Sequence, residues 1–124
     1  MNELTSLLST LTKEEYCYLT TTGRVTGHPH EIEIWFELSD STLYLLAGSG
    51  RSDWVRNLLK NPSVSVRIGK HTFPATARLV QDKEEDTRAR YLVAEKYQEW
   101  EERKTLSQWA QTALPVAIDL TLKA

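Results

Sequence analysis

The chain has 124 residues, 40% hydrophobic and 26% charged, with a formal net charge of −2. That size and composition fit one soluble domain spanning residues 1–124, and the slight acidity argues against a nucleic-acid binder, which normally leaves a basic footprint. No apolar run approaches the roughly 20 residues of a membrane span, no signal-peptide pattern opens the chain, and the lone Cys17 excludes an intramolecular disulfide and a Cys-rich zinc site, so a cytoplasmic location is expected.

Leu4, Leu7, Leu8 and Leu11 fall at helical spacing. They predict an amphipathic helix within the first 13 residues. Tyr16 to Thr22 is rich in aromatic and β-branched residues and reads as a strand ending at Gly23. Gly27 to His30 turns the chain, helped by Pro29. From Glu31 to Leu38 the sequence alternates: Ile32, Ile34, Phe36 and Leu38 share one face, while Glu31, Glu33, Trp35 and Glu37 share the other. A turn at Ser39-Asp40-Ser41 makes Thr42 to Ala47 the returning strand of a hairpin.

Ser52 is placed to cap a short helix from Asp53 to Leu59, which Asn61-Pro62 ends. Ser63 to Ile68 and Thr72 to Val80 alternate again, joined by a turn at Gly69-Lys70. Pro74 marks the second of these as an edge strand or a bulge. A long helix from Asp82 to about Trp100 carries Tyr91, Leu92, Val93 and Ala94 as its apolar stripe. A polar segment then leads to a last strand, Leu114 to Leu122. Six short strands with hairpin connections predict an α+β, mainly β fold: a six-stranded antiparallel barrel with flanking helices.

Two segments suit an anion. Thr20 to His30 reads TTTGRVTGHPH. Its glycines let a ligand approach the backbone, Arg24 offers a planar fork, and Thr20 to Thr22 and Thr26 offer hydroxyls. A plain glycine-containing hairpin corner is the competing reading. Gly48 to Asn57 leads a flexible loop into a helix start, where unpaired N–H groups attract phosphate. Asp53 opposes an anion on the first turn, so Gly50 and Arg51 of the loop are the better donors. An ordinary strand-to-helix connection is the alternative here.

The remaining candidates are less specific. His28, His30 and His71 match no metal-ligand spacing, so no metal site is expected. His28 reads as a donor near a phosphate or as a surface residue. Glu31, Glu33 and Glu37 read as a solvated strand face. Trp35 among them must cover something, either a ring or a subunit interface. Tyr97, Trp100 and Trp109 are either core plugs or a lid over a flat substrate. Cys17 reads as an inert core thiol.

The order of these blocks resembles the deazaflavin (F-420)-dependent nitroreductase and quinone reductase family. That family has the split β-barrel fold of pyridoxamine-phosphate oxidase-like FMN-binding proteins. The resemblance rests on TTGRVTGHP at Thr21 to Pro29, Trp35-Phe36, LYLLA at Leu43 to Ala47, WVRNLLKNPSVSVRIG at Trp54 to Gly69, TFPATAR at Thr72 to Arg78, and LPVAIDL at Leu114 to Leu120.

It implies a reductase that passes hydride from F-420, whose phosphate and oligoglutamate tail are anionic, to a quinone, nitroaromatic or activated alkene. It implies cofactor contacts at Thr22, Gly23, Arg24, Thr26, Gly27, His28 and Pro29, and at Ser49, Gly50, Arg51, Trp54, Val55, Arg56 and Asn57. Trp35, Tyr97 and Trp100 match the substrate side, with Tyr97 a candidate proton donor, and the fold relatives imply a homodimer. Many relatives have a basic residue in place of Val25 and an arginine in place of His30. Fewer charges weaken the hold on a polyanionic tail. FMN is therefore the alternative cofactor, and a non-catalytic flavin or haem carrier the alternative function.

Overall fold

The computed structural model describes residues 3–122. Helix α1 (Glu3–Leu11) precedes strands β1 (Cys17–Thr22), β2 (Pro29–Ile34), β3 (Glu37–Ser39) and β4 (Thr42–Ala47). Helix α2 (Asp53–Lys60) leads to β5 (Ser63–Ile68) and β6 (His71–Leu79). Helix α3 (Lys83–Tyr97) is followed by a two-residue ladder of β7 (Trp100–Glu101) and β8 (Thr105–Leu106), then α4 (Gln108–Thr112) and β9 (Leu114–Leu120).

Seven strands form one antiparallel sheet in the order β2-β1-β5-β6-β9-β4-β3. Its two outer strands, β2 and β3, are neighbours in sequence, separated only by Trp35 and Phe36. Two linking residues span at most about 11 Å. The sheet must therefore curl until its edges nearly meet, which makes it a barrel split along one seam. The predicted six strands become seven because the strand expected over Glu31 to Leu38 breaks at that seam.

The alternating residues of the curled sheet face a first core. Leu19, Leu43, Leu45, Val66, Ile68, Val116 and Ile118 are fully buried there, with Phe36 beside them. Leu8 and Leu11 of α1 and Val55 and Leu58 of α2 pack against it. β4 is buried on both faces, since Tyr44 and Leu46 join a second core with Ala117 of β9. Ala89, Val93 and Ala94 of α3 and Ala110 of α4 complete that core. Small residues on α3 let the helix approach the sheet closely. This explains why its stripe runs through Ala89 and Val93, while Tyr91, expected inside, is exposed.

Three local expectations are corrected. Ser52 stands at the start of α2, but its hydroxyl donates to the Ser49 carbonyl at 2.9 Å and caps nothing. Pro74 lies in a strand paired on both sides. Its carbonyl accepts from the Thr121 N–H at 2.8 Å, beyond the end of the β6–β9 register, so its missing N–H faces a point where the ladder has already stopped. The segment after α3 is not featureless: β7, β8 and α4 form because Leu106 and Ala110 find burial against α3. Asp82 caps α3, accepting from the Glu85 N–H at 2.9 Å.

Candidate active site

The β1–β2 hairpin puts Thr21 opposite His30 and Thr22 opposite Pro29. Beyond that pair the chain must reverse. The Gly23 N–H donates to the His28 carbonyl at 2.8 Å, and Gly27 takes a positive φ of 78° that favours glycine. Gly23 has a different constraint. A Cβ there would lie 2.7 Å from His30 Nε2 and 3.1 Å from the His28 carbonyl oxygen.

Helix α2 lies against this corner, fixed by one asparagine. Asn57 is 3% exposed. Its Oδ1 accepts from the Arg24 backbone N–H at 3.1 Å and from Arg24 Nη1 at 2.9 Å, while its Nδ2 donates to Thr21 Oγ1 at 3.2 Å. Arg24 Nη2 also meets Asp53 Oδ1 at 3.1 Å, and Nη1 reaches the Asp53 carbonyl at 3.4 Å. Lys60 Nζ closes the far end on the Arg24 carbonyl at 3.0 Å. The two segments singled out in the sequence are thus joined, and they are joined through each other's charges.

Between them opens a cleft of about 450 Å³. Gly23, Arg24, Thr26, Trp54 and Asn57, all on the expected contact list, line it. Val25, His30, Glu31, Ile32 and Asp53 line it too, and these were not on the expected contact list. For His30, Glu31 and Ile32 the hairpin register carried the missing signal, because they return along β2 from the glycine corner; Val25 lies in the corner itself and Asp53 on α2.

The other expected contacts lie elsewhere. Val55 is buried in the first core, and Arg56 is exposed. Thr22 and Pro29 pair at the end of the ladder, Gly27 forms the turn, and His28 is exposed with its N–H on Thr26 Oγ1 at 3.2 Å. Ser49 accepts from the Arg51 N–H at 3.0 Å within its own loop, and Gly50 sits beside Leu114.

The expected substrate-side residues are in a different place altogether. Trp35 stacks on Tyr97 with centroids 4.2 Å apart, and Trp109 meets its edge at 5.7 Å. Trp100 leans on Tyr91. The Tyr97 hydroxyl accepts from the Phe36 N–H at 3.0 Å and donates within reach of the Glu15 and Phe36 carbonyls. Tyr97 therefore seals the barrel seam, satisfying backbone groups left unpaired where the strand breaks. Burial pushes its phenol up to about 12. A phenol held this way by the backbone is not placed to serve the cleft as a proton donor.

Residues 3–121 match a protein-family model, that of F-420H(2)-dependent quinone reductase. The chain belongs to that family. It is a deazaflavin-dependent oxidoreductase, and F-420 is the family's cofactor. Solved structures agree on the fold. An F-420-H2-dependent reductase is 22% identical, covering 84% of this chain and 93% of that one, with a TM-score of 0.66. A candidate pyridoxamine 5′-phosphate oxidase from Listeria innocua is 18% identical, covering 95% and 93%, with a TM-score of 0.72. A protein solved as a domain-swapped dimer is 22% identical, covering 94% of each chain, with a TM-score of 0.68. The split barrel is therefore shared with these proteins.

The cleft fits part of a deazaflavin. Its volume lies in the small-molecule range, and Val25, Ile32 and Trp54 give it apolar walls for a flat ring. Three of the five Arg24 N–H groups are engaged by Asp53 and Asn57, which leaves two for an anion. Among the described residues, no helix is long and apolar enough to cross a membrane.

Proposed function

We propose that the cleft between the Gly23–Thr26 corner and α2 holds F-420 in this reductase, and that the electron acceptor is a quinone, nitroaromatic or activated alkene. One observation carries this reading: Arg24 and Asn57, 33 positions apart, meet on the wall of a ligand-sized cleft with Trp54 beside them. The bound deazaflavin supplies the hydride, and the protein supplies position and electrostatics.

Arg24 offers its remaining N–H groups to the phosphate, and Thr26 adds a hydroxyl. Trp54 and Ile32 offer the ring an apolar wall. Asn57 keeps the guanidinium in place. Val25 is 88% exposed, so the cleft mouth is open, and water there serves as the proton source.

Titration of the purified protein with F-420, followed by fluorescence quenching, tests the reading. Arg24→Ala should weaken binding by about tenfold to a hundredfold, the weight of a charge-assisted hydrogen bond. Absence of binding to F-420 and to FMN at tens of micromolar would sink it. Binding of FMN alone would move the assignment to an FMN reductase on the same barrel.

The chain is also proposed to work as a homodimer in the cytoplasm. β2 is an outer strand with Ile32 and Ile34 only half-buried, and a structural relative is a domain-swapped dimer. The lone cysteine, Cys17, is buried and unpaired, which suits a reducing compartment. Light scattering should give twice the 14.2 kDa chain mass; a monomer at working concentration contradicts the dimer.

A further inference from the structure

The cleft has a charge pattern that a site for a long polyanion does not call for. One guanidinium, Arg24, and two carboxylates, Asp53 and Glu31, line the cleft, and Asp53 meets the guanidinium directly. The Arg24 side chain is 24% exposed and anchored from behind by Asn57, whereas Asp53 is 85% exposed. The cation is a fixed part of the wall. The carboxylate against it stands in solvent and can swing away.

An anion arriving at the two remaining Arg24 donors therefore sits beside Asp53, which holds one Nη2 hydrogen. Turning an exposed carboxylate aside is easy for one compact phosphate, because such ion pairs are weak. It does not remove the negative charge from the neighbourhood. Every further carboxylate on the ligand still meets Asp53 and Glu31 at short range, with Arg24 already committed.

We infer that Asp53 is a specificity-determining residue of this cleft: an internal anion that admits a ligand with one compact anionic group and selects against an extended polyanionic tail. The inference rests on the cleft assignment above. It also accounts for the position of Asp53, at the helix end where a ligand phosphate would otherwise find the positive dipole undisputed.

The test is Asp53→Asn, titrated with FMN, with short-tailed F-420 and with long-tailed F-420, at low and high salt. Binding is read by fluorescence, without turnover. Wild type should bind the short tail at least as well as the long one. Asp53→Asn should tighten binding about threefold for FMN and about tenfold for the long tail, and the gain should fade as salt screens the exposed charge. Glu95→Gln, the same charge change on an exposed part of α3, should alter nothing.

If wild type binds and Asp53→Asn binds equally or more weakly, Asp53 is a positioning residue for Arg24 and the inference is wrong while the cleft assignment survives. If wild type binds neither flavin but Asp53→Asn gains binding, the gate stands and the functional reading of the native cleft falls. If neither protein binds, both fall.

Discussion

Two arginines in this chain sit in similar company and do different things. Arg24 meets Asp53 and Asn57 at the hairpin corner. Arg78, on β6, meets Asp119 of β9 through Nε at 2.7 Å and Glu85 of α3 through both terminal nitrogens at 2.8 Å. The second group is closed. Thr42 donates to Asp119 at 2.8 Å and Tyr44 donates to Glu85 at 2.6 Å, so the clasp ties α3 to three strands. The first group is open on one side, to a cleft. An arginine whose fork is filled by protein carboxylates is a structural part. An arginine with donors left over, beside a cleft, is a binding part in the reading proposed above.

The sharpest way to break that contrast is to remove each cation and measure ligand binding. Arg24→Ala should lose most affinity for F-420, while Arg78→Ala should leave it within about twofold, since distant independent sites do not couple. A comparable loss from Arg78→Ala would mean that the clasp positions the cleft and that the two regions are one.

Stability should show the opposite order. Arg78→Ala strands two carboxylates that now share one guanidinium, and should cost about 2 kcal/mol in urea unfolding, moderated because the side chain is 41% exposed. Arg24→Ala breaks one ion pair whose carboxylate stands in water and one bond to Asn57 Oδ1, which keeps the Arg24 backbone N–H, and should cost about 1 kcal/mol. Equal costs would erase the distinction.

The sequence made these regions legible to different degrees. The alternation of Val64, Val66 and Ile68, and the buried run from Leu43 to Ala47, announced their strands directly. Trp35 and Phe36 did not announce a break, because the alternation runs through them. What ends the strand is the hydroxyl of Tyr97, 61 positions away, taking the Phe36 N–H. The stacking of Trp35 on Tyr97 was hidden for the same reason, because no local pattern joins residues so far apart.

At the corner, Arg24, Trp54 and Asn57 could be picked out by type, and the structure gathers them. That the Asp53 carboxylate would meet the Arg24 guanidinium was not legible, because counting charges in two segments says nothing about how they face. The Arg78 clasp was missed altogether. Its members come from four elements, and none belongs to a recognisable motif.

The smallest effect, and the one that isolates the clasp, comes from acid. The Arg78 guanidinium, helped by the Tyr44 hydroxyl, holds the Glu85 carboxyl at about 2, below its ordinary 4.5. Arg78, then Thr42, also lowers Asp119. Both groups are more acidic folded than unfolded. As the pH falls below about 4.5 the unfolded chain takes up these protons first, so the stabilisation is complete above that value and is lost progressively toward about pH 2. Arg78→Ala removes the cause of the shift. The stability gap between wild type and Arg78→Ala should therefore be widest near neutral pH and should narrow by about pH 3. A gap that stays constant across that range would show that Arg78 stabilises through its packed methylene stem rather than through its charge, and the comparison with Arg24 would then rest on shape alone.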